Sequence, residues 1–170
     1  MPLIKDGKPV NTDHWQAFDD ATVVDAETHI IVSLERWQAE RDILIKSGLR
    51  LGVRLNAADQ ASDLADDVRH LELITVAFPA IGDGRGYSIG RLLRQRHHYS
   101  GELRAVGPIV RDQFPLLQRC GFNAVVARDH AEANAWPDAV AAITVAYQPD
   151  VLSDNKSDLD EVQPSLVAAA

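Results

Sequence analysis

A glycine-rich segment holds the side chains best suited to chemistry in this chain. Residues 82–88 have the sequence Gly-Asp-Gly-Arg-Gly-Tyr-Ser, and they follow an apolar run over 73–78 that predicts a buried strand. The arginine fork matches the oxygens of an anion, and glycine allows close approach of the backbone to a ligand. The segment therefore predicts an anion-binding loop at the carboxyl end of a strand, where open α/β sheets bind ligands.

Arginine is concentrated in this loop and just after it. Seven arginines and two acids lie between Arg85 and Arg119, which gives this window a net charge of +5. The whole chain has a net charge of −8, so the remainder carries −13. A local positive region on an acidic protein favours a small oxyanion or an acidic partner. Nucleic acid is not expected as a partner, because its backbone needs a broad basic face.

Asp83 and Tyr87 are the candidate proton-transfer residues. Asp83 is either a general base or the acceptor of an Asx-turn, and Tyr87 either donates a proton or packs its ring. A helix is predicted from Ser88, with Ser88 as its N-cap and with positive φ at Gly84 or Gly86. The other candidates for contact with an anion or a partner are Gly84, Arg85, Gly86, Ser88, Arg91, Arg94 and Arg104.

The spacing of Tyr87, Arg91, Arg94 and His98 places these side chains on one face of the predicted helix. That face either recognises an anion or a partner, or is a solvated surface. Arg85 is the stronger candidate, because it lies among glycines.

Cofactor motifs are weak in this sequence. Cys120 is the single cysteine and the six histidines are scattered or adjacent, so no metal site is predicted. The spacing of Gly84, Gly86 and Gly90 is one residue longer than the dinucleotide fingerprint. The cofactor is therefore unknown, and redox chemistry would require a borrowed flavin or nicotinamide.

Alternating apolar runs predict one α/β domain over residues 1–149. Its mainly parallel sheet has about five βα units and is either open or rolled like part of a barrel. A hairpin turning at Asp6-Gly7 precedes it, and a helix capped by Ser33 and ended by Gly48 is expected. Further helices are expected over 61–71 and 138–143, and a strand over 144–147. Residues 150–170 are predicted to be a flexible acidic tail. No apolar stretch is long enough to cross a membrane and no secretory signal is recognisable, so a cytoplasmic location is expected.

Seven segments resemble a bacterial family of unknown function. Its members are often labelled oxidoreductases of sulfite reduction, because their genes tend to lie beside those of sulfite reductase. The similar segments are residues 3–7, 31–37, 78–94, 101–107, 111–113, 119–122 and 145–148. The resemblance implies an accessory protein of sulfur assimilation.

Two functions are compatible with the residues and the resemblance. The first is a small oxidoreductase that holds a sulfite-like oxyanion at Arg85, with Asp83 or Tyr87 moving a proton. The second is a non-catalytic partner of sulfite reductase or of another sulfur-assimilation protein, serving assembly, cofactor delivery or docking of an electron donor.

Overall fold

The computed structural model describes residues 2–10, 12–17, 29–127 and 129. The elements in chain order are β1 (Leu3–Lys5), β2 (Lys8–Val10), β3 (Trp15–Ala17), β4 (His29–Ser33), α1 (Leu34–Lys46), β5 (Arg50–Leu55), β6 (Leu73–Ala77), α2 (Arg85–Gln95), β7 (Glu102–Val106), α3 (Phe114–Arg119) and β8 (Ala124–Val126). Short 3-10 turns lie at Ala61–Leu64, Val68–His70 and Arg111–Gln113. Within these ranges, no helix combines the length and the apolar character that crossing a membrane requires.

All eight strands form one sheet, in the order β2-β1-β8-β7-β6-β5-β4-β3. The strands from β3 to β8 are parallel, and β1 is antiparallel to both of its neighbours, β2 and β8. The predicted α/β domain with a mainly parallel sheet and an N-terminal hairpin is confirmed. The six parallel strands follow one another in sequence order, and right-handed crossovers then place their helices on one face of the sheet.

The chain connection between β2 and β3 requires the sheet to curl. These strands form opposite edges of the sheet, yet only residues 11–14 join them. Eight flat strands would put the edges about 34 Å apart, at about 4.8 Å per strand. The five Cα steps from Val10 to Trp15 span at most about 18 Å. The sheet is therefore a partial barrel, and residues 12–14, which we call the strap, lie between its edges.

Local sequence signals account for the hairpin and for α1. Asp6 and Gly7 have φ values of 50° and 75°, the positive values that a two-residue hairpin turn requires. Ser33 caps α1 by accepting a hydrogen bond from the Arg36 backbone N–H at 3.1 Å. Gly48, just beyond α1, has φ +74°, so the predicted helix stop is confirmed.

The helix predicted over 61–71 is wrong. Two 3-10 turns replace it, and the first of them still directs the side chains of Ala61 and Leu64 into the core. The Asp67 carboxylate crosses to α1, where it accepts a hydrogen bond from the buried indole N–H of Trp37 at 2.9 Å and pairs with Arg41 at 2.6 Å. These long-range bonds hold Asp67 against α1, so tertiary contacts outweigh the helical periodicity of this segment. The elements predicted over 138–147 and the tail lie outside the described residues.

We expect Asp67→Ala to lower the free energy of unfolding by about 1–3 kcal/mol, because the buried indole N–H of Trp37 loses its acceptor. Hydrogen bonding from Arg41 holds the pKa of Asp67 below its ordinary value. The carboxylate therefore contributes stability above the unfolded pKa of about 3.9 and loses it as pH falls through the lower folded pKa. Urea titrations at several pH values measure the difference in the free energy of unfolding between the unmodified protein and Asp67→Ala. A difference that stays constant down to pH 2 (about two units below that pKa) would contradict the role of the ionised carboxylate.

Candidate functional site

The glycine loop leads from the carboxyl end of β6 into α2. The helix begins at Arg85, Gly84 is its N-cap with φ −87°, and Ser88 lies inside the helix with an exposed side chain. The predicted N-cap at Ser88 and the predicted positive φ at Gly84 or Gly86 are therefore wrong. Asp83 explains the earlier start, since its Oδ1 accepts the backbone N–H of Arg85 at 3.1 Å in an Asx-turn.

Two of the glycines allow close packing of α2. A Cβ at Gly86 would lie 2.5 Å from Cζ of Phe78, and a Cβ at Gly90 would collide with the ring of Phe122. Both glycines are buried and lie four residues apart, on one face of the helix. Gly86 and Gly90 thus allow α2 to pack closely against two aromatic rings.

Asp83 and Arg85 form an exposed ion pair at the start of α2. Nη2 of Arg85 lies 2.6 Å from Oδ2 of Asp83, and Nε lies 3.0 Å from Oδ1. The hydrogen bond from the Arg85 side chain holds the pKa of Asp83 below its ordinary value, and Asp83 in turn raises the pKa of Arg85. The Arg85 side chain remains 60% exposed, and within the described ranges no acceptor is bound to its Nη1. The pair therefore fixes the direction of an accessible guanidinium.

Tyr87 packs its ring into the protein. The ring lies edge-on to Phe78 with centroids 5.1 Å apart, and the residue is half-buried. Burial raises the pKa of Tyr87, which a hydrogen bond with Gln113 partly offsets. Gln113 also donates to the carbonyl oxygen of Ile81 at 2.9 Å. Tyr87 and Gln113 thus tie the glycine loop to the segment that precedes α3.

Arg91 and Arg94 point in different directions from α2. Arg91 is exposed and donates to Oε1 of Gln95 at 3.0 Å. Arg94 is 9% exposed and donates to three carbonyl oxygens, those of Tyr99 at 2.6 Å and of Gly101 and Gly121 at 2.9 Å. Burial lowers the pKa of Arg94. The expected stripe of basic residues is thus divided, with one arginine in solvent and one engaged within the chain.

Arg104 lies apart from the glycine loop, in a cleft of about 330 Å³ that we call the strap cleft. The wall of the strap cleft includes Lys5, Asp13, Trp15, His29, Glu102 and Arg104. His29 and Glu102 begin parallel strands, so the strap cleft lies toward the amino ends of these strands, whereas Arg85 lies beyond a carboxyl end. The structure therefore separates two arginines that the sequence analysis placed in one site.

A chain of charges crosses the strap cleft. Arg104 is only 4% exposed, and its Nη2 lies 2.7 Å from Oε1 of Glu102, which is also buried. Its Nη1 lies 2.7 Å from Oδ2 of Asp13 on the strap, and Lys5 Nζ lies 2.8 Å from the second oxygen of Glu102. Sequence reasoning missed this group because Asp13 and Arg104 are 91 residues apart. Two charges at alternate positions of a central strand, Glu102 and Arg104, were the available signal.

A family model matches residues 52–157 of the chain. It describes a bacterial protein of unknown function, DUF934. The chain belongs to this family. No protein in the curated collection is similar enough to match it.

The part of the chain that matches the family model contains only one side of the strap cleft. Arg85 and Arg104 lie within residues 52–157, whereas Lys5 and Asp13 precede them. The family model thus includes the glycine loop and the buried arginine but not the strap that covers that arginine.

Metal ligands are not grouped in the described part of the chain. Across residues 2–10, 12–17, 29–127 and 129, no three side chains of His, Cys, Asp or Glu are close enough to hold a metal ion. The guanidinium groups of Arg85 on the surface and of Arg104 in the strap cleft have the chemistry to bind anionic groups.

Proposed function

We propose that this protein is an accessory protein of sulfite reduction that docks to sulfite reductase through Arg85. The observation that carries the proposal is the 60% exposed guanidinium, which Asp83 holds in one direction. Charge-assisted bonds from such an arginine to carboxylates give specificity to an interface. The resemblance to a family whose genes tend to lie beside those of sulfite reductase supports the pathway. A cytoplasmic location stays a prediction from the sequence.

The geometry favours docking over proton transfer at the glycine loop. A general base works best with a pKa near the operating pH, but Asp83 is paired with Arg85 and its pKa is lowered. Tyr87 has a raised pKa and a ring packed on Phe78, so it is a weaker acid than a free tyrosine. Ile81, four residues before Arg85 in the chain, has an apolar side chain that is 55% exposed. An exposed apolar residue in the loop that leads to a paired arginine suits a protein interface.

A small oxidoreductase is the alternative, and its cofactor would reveal it. Flavin bound to the purified protein would absorb at about 450 nm. Such a spectrum together with sulfite-dependent turnover would support an enzyme and contradict the docking proposal. A colourless protein that forms a complex with sulfite reductase supports the proposal.

We expect Arg85→Ala to weaken binding to purified sulfite reductase by about tenfold or more, the loss typical of a charge-assisted hydrogen bond. Arg85→Lys should recover part of the loss, because an ammonium lacks the planar fork. Biolayer interferometry with immobilised reductase measures both, and the melting temperature should change little.

Arg50→Ala is the matched control for this experiment. Arg50 is 61% exposed and pairs with Glu72 at 3.2 Å, so it resembles Arg85 in exposure and pairing but lies on β5 at the strap cleft. Arg50→Ala should leave binding to sulfite reductase unchanged. Equal weakening by both substitutions would show a general charge effect and would contradict docking through Arg85.

A further inference from the structure

We propose that the strap cleft is a binding site for a small molecule with one carboxylate-like anionic group, which replaces Asp13 on Arg104. Asp13 is then an internal competitor that must leave the guanidinium before the ligand binds. This site is separate from the Arg85 docking surface and does not depend on it.

The two edges of the Arg104 guanidinium have different partners. The inner edge is fixed, since Nε and Nη2 lie 2.8 and 2.7 Å from the same oxygen of buried Glu102. The outer edge forms a fork with Asp13, through Nη1 to Oδ2 at 2.7 Å and Nη2 to Oδ1 at 3.2 Å. This two-bond geometry is the one by which arginine recognises a carboxylate. The outer edge of Arg104 thus already has the geometry that binds a carboxylate, and Asp13 is the carboxylate bound there.

Asp13 can leave Arg104 more easily than Glu102 can. The Asp13 side chain is 34% exposed and belongs to the strap, so water can solvate its carboxylate when the pair opens. Glu102 is 7% exposed on a central strand and is also held by Lys5. Breaking the inner pair would strand a buried charge, which is costly, whereas opening the outer pair exposes a carboxylate to solvent.

The charges around the strap cleft define the ligand. Three cations balance three carboxylates: Lys5, Arg50 and Arg104 against Asp13, Glu72 and Glu102. When Asp13 turns out to solvent, three cations face two carboxylates and the net charge is +1. A ligand with a single negative charge restores the balance beside a buried arginine.

The remaining wall offers space and apolar contact for the body of the ligand. The cleft volume of about 330 Å³ lies at the lower end of small-molecule sites. Trp15 lies against the sheet at Gly52, where an added Cβ would be 3.1 Å from its ring, so the glycine makes room for the indole. Trp15 and His29 pack edge-on with centroids 5.2 Å apart. These rings flank the charged group and can contact a small organic body.

An unused hydrogen-bonding group lies beside Arg104. Thr75 is opposite Arg104 in the β6–β7 register and therefore points to the same face of the sheet. It is 3% exposed, and its hydroxyl has no hydrogen-bond partner among the described residues. A buried hydroxyl without a partner is unfavourable, so its place next to the arginine is consistent with a face built for polar binding.

Titration calorimetry on the full chain with acetate and with inorganic sulfite tests the inference. We expect Asp13→Asn to bind one of these anions about tenfold or more tightly than the unmodified protein, because the competitor no longer occupies Arg104. Asparagine can keep the turn bond that Asp13 Oδ1 accepts from the Trp15 backbone N–H. A preference for acetate assigns a carboxylate ligand, and a preference for sulfite assigns a sulfur oxyanion.

Asp42→Asn is the matched control, because Asp42 likewise pairs with an arginine, Arg41, at 3.0 Å and lies outside both the strap cleft and the glycine loop. It should leave the affinity for both anions unchanged. Arg104→Lys added to Asp13→Asn should remove most of the gain, with folding checked by circular dichroism. No gain in Asp13→Asn, or an equal gain in Asp42→Asn, would overturn the proposal even if Arg104→Lys fails to fold.

Discussion

Replacing Arg94 by alanine is expected to lower the free energy of unfolding by about 3 kcal/mol or more, because several buried carbonyl oxygens lose their donor at once. The side chain joins the end of α2 to the loops before β7 and before β8, through the carbonyl oxygens of Tyr99, Gly101 and Gly121. A Cβ at Gly121 would collide with the Arg94 side chain, so the two residues are tightly packed. Urea unfolding measures the loss.

Arg91→Ala is the control for Arg94, one turn earlier on the same helix. Arg91 is exposed and its bond is to Gln95 of its own helix, so its loss should change stability by no more than about 0.5 kcal/mol. Similar small effects at both positions would mean that the bonds of Arg94 contribute little to the fold.

Gly86→Ala is the second substitution with a large expected effect. The added methyl would lie 2.5, 2.7 and 2.9 Å from three ring atoms of Phe78, which is itself buried. Overpacking of this kind costs about 1–3 kcal/mol, which outweighs the gain of about 1 kcal/mol in helix propensity when the ring cannot move. We therefore expect a lower melting temperature in differential scanning calorimetry.

Gly82→Ala separates packing from a general need for glycine in the loop. An added Cβ at Gly82 has no atom within 4 Å. Its melting temperature should therefore stay close to that of the unmodified protein. A Gly86→Ala protein as stable as Gly82→Ala would contradict the packing role and would return Gly86 to the candidates for ligand contact.

Elements with strong local signals could be predicted from the sequence. The Asp6-Gly7 turn, the Ser33 cap and the Gly48 stop each depend on a few neighbouring residues, and the structure has all three. The alternation of apolar runs with helical segments also predicted the parallel sheet, since consecutive parallel strands need a crossover between them, usually a helix. The sequence could not decide between an open sheet and a partial barrel, because that choice depends on the strand order. The short link from β2 to β3 requires a curled sheet only because these two strands form its opposite edges.

The roles of individual arginines could not be predicted, because distant partners decide them. Arg94 has the spacing of a surface stripe with Arg91, but three carbonyl oxygens up to 27 residues away draw it inward. Arg104 has its partner Asp13 on the strap, 91 residues earlier in the chain. Arg85 differs from both, because its partner Asp83 is two residues away.

Sedimentation velocity of the unmodified protein mixed with purified sulfite reductase is the most direct test of docking through Arg85. Such docking predicts a complex at about 50 mM salt that weakens markedly at about 500 mM, since an exposed arginine contact is screened by ions. Independent sedimentation of the two proteins at both salt concentrations would contradict docking. A complex unaffected by salt would contradict the role of Arg85 in it.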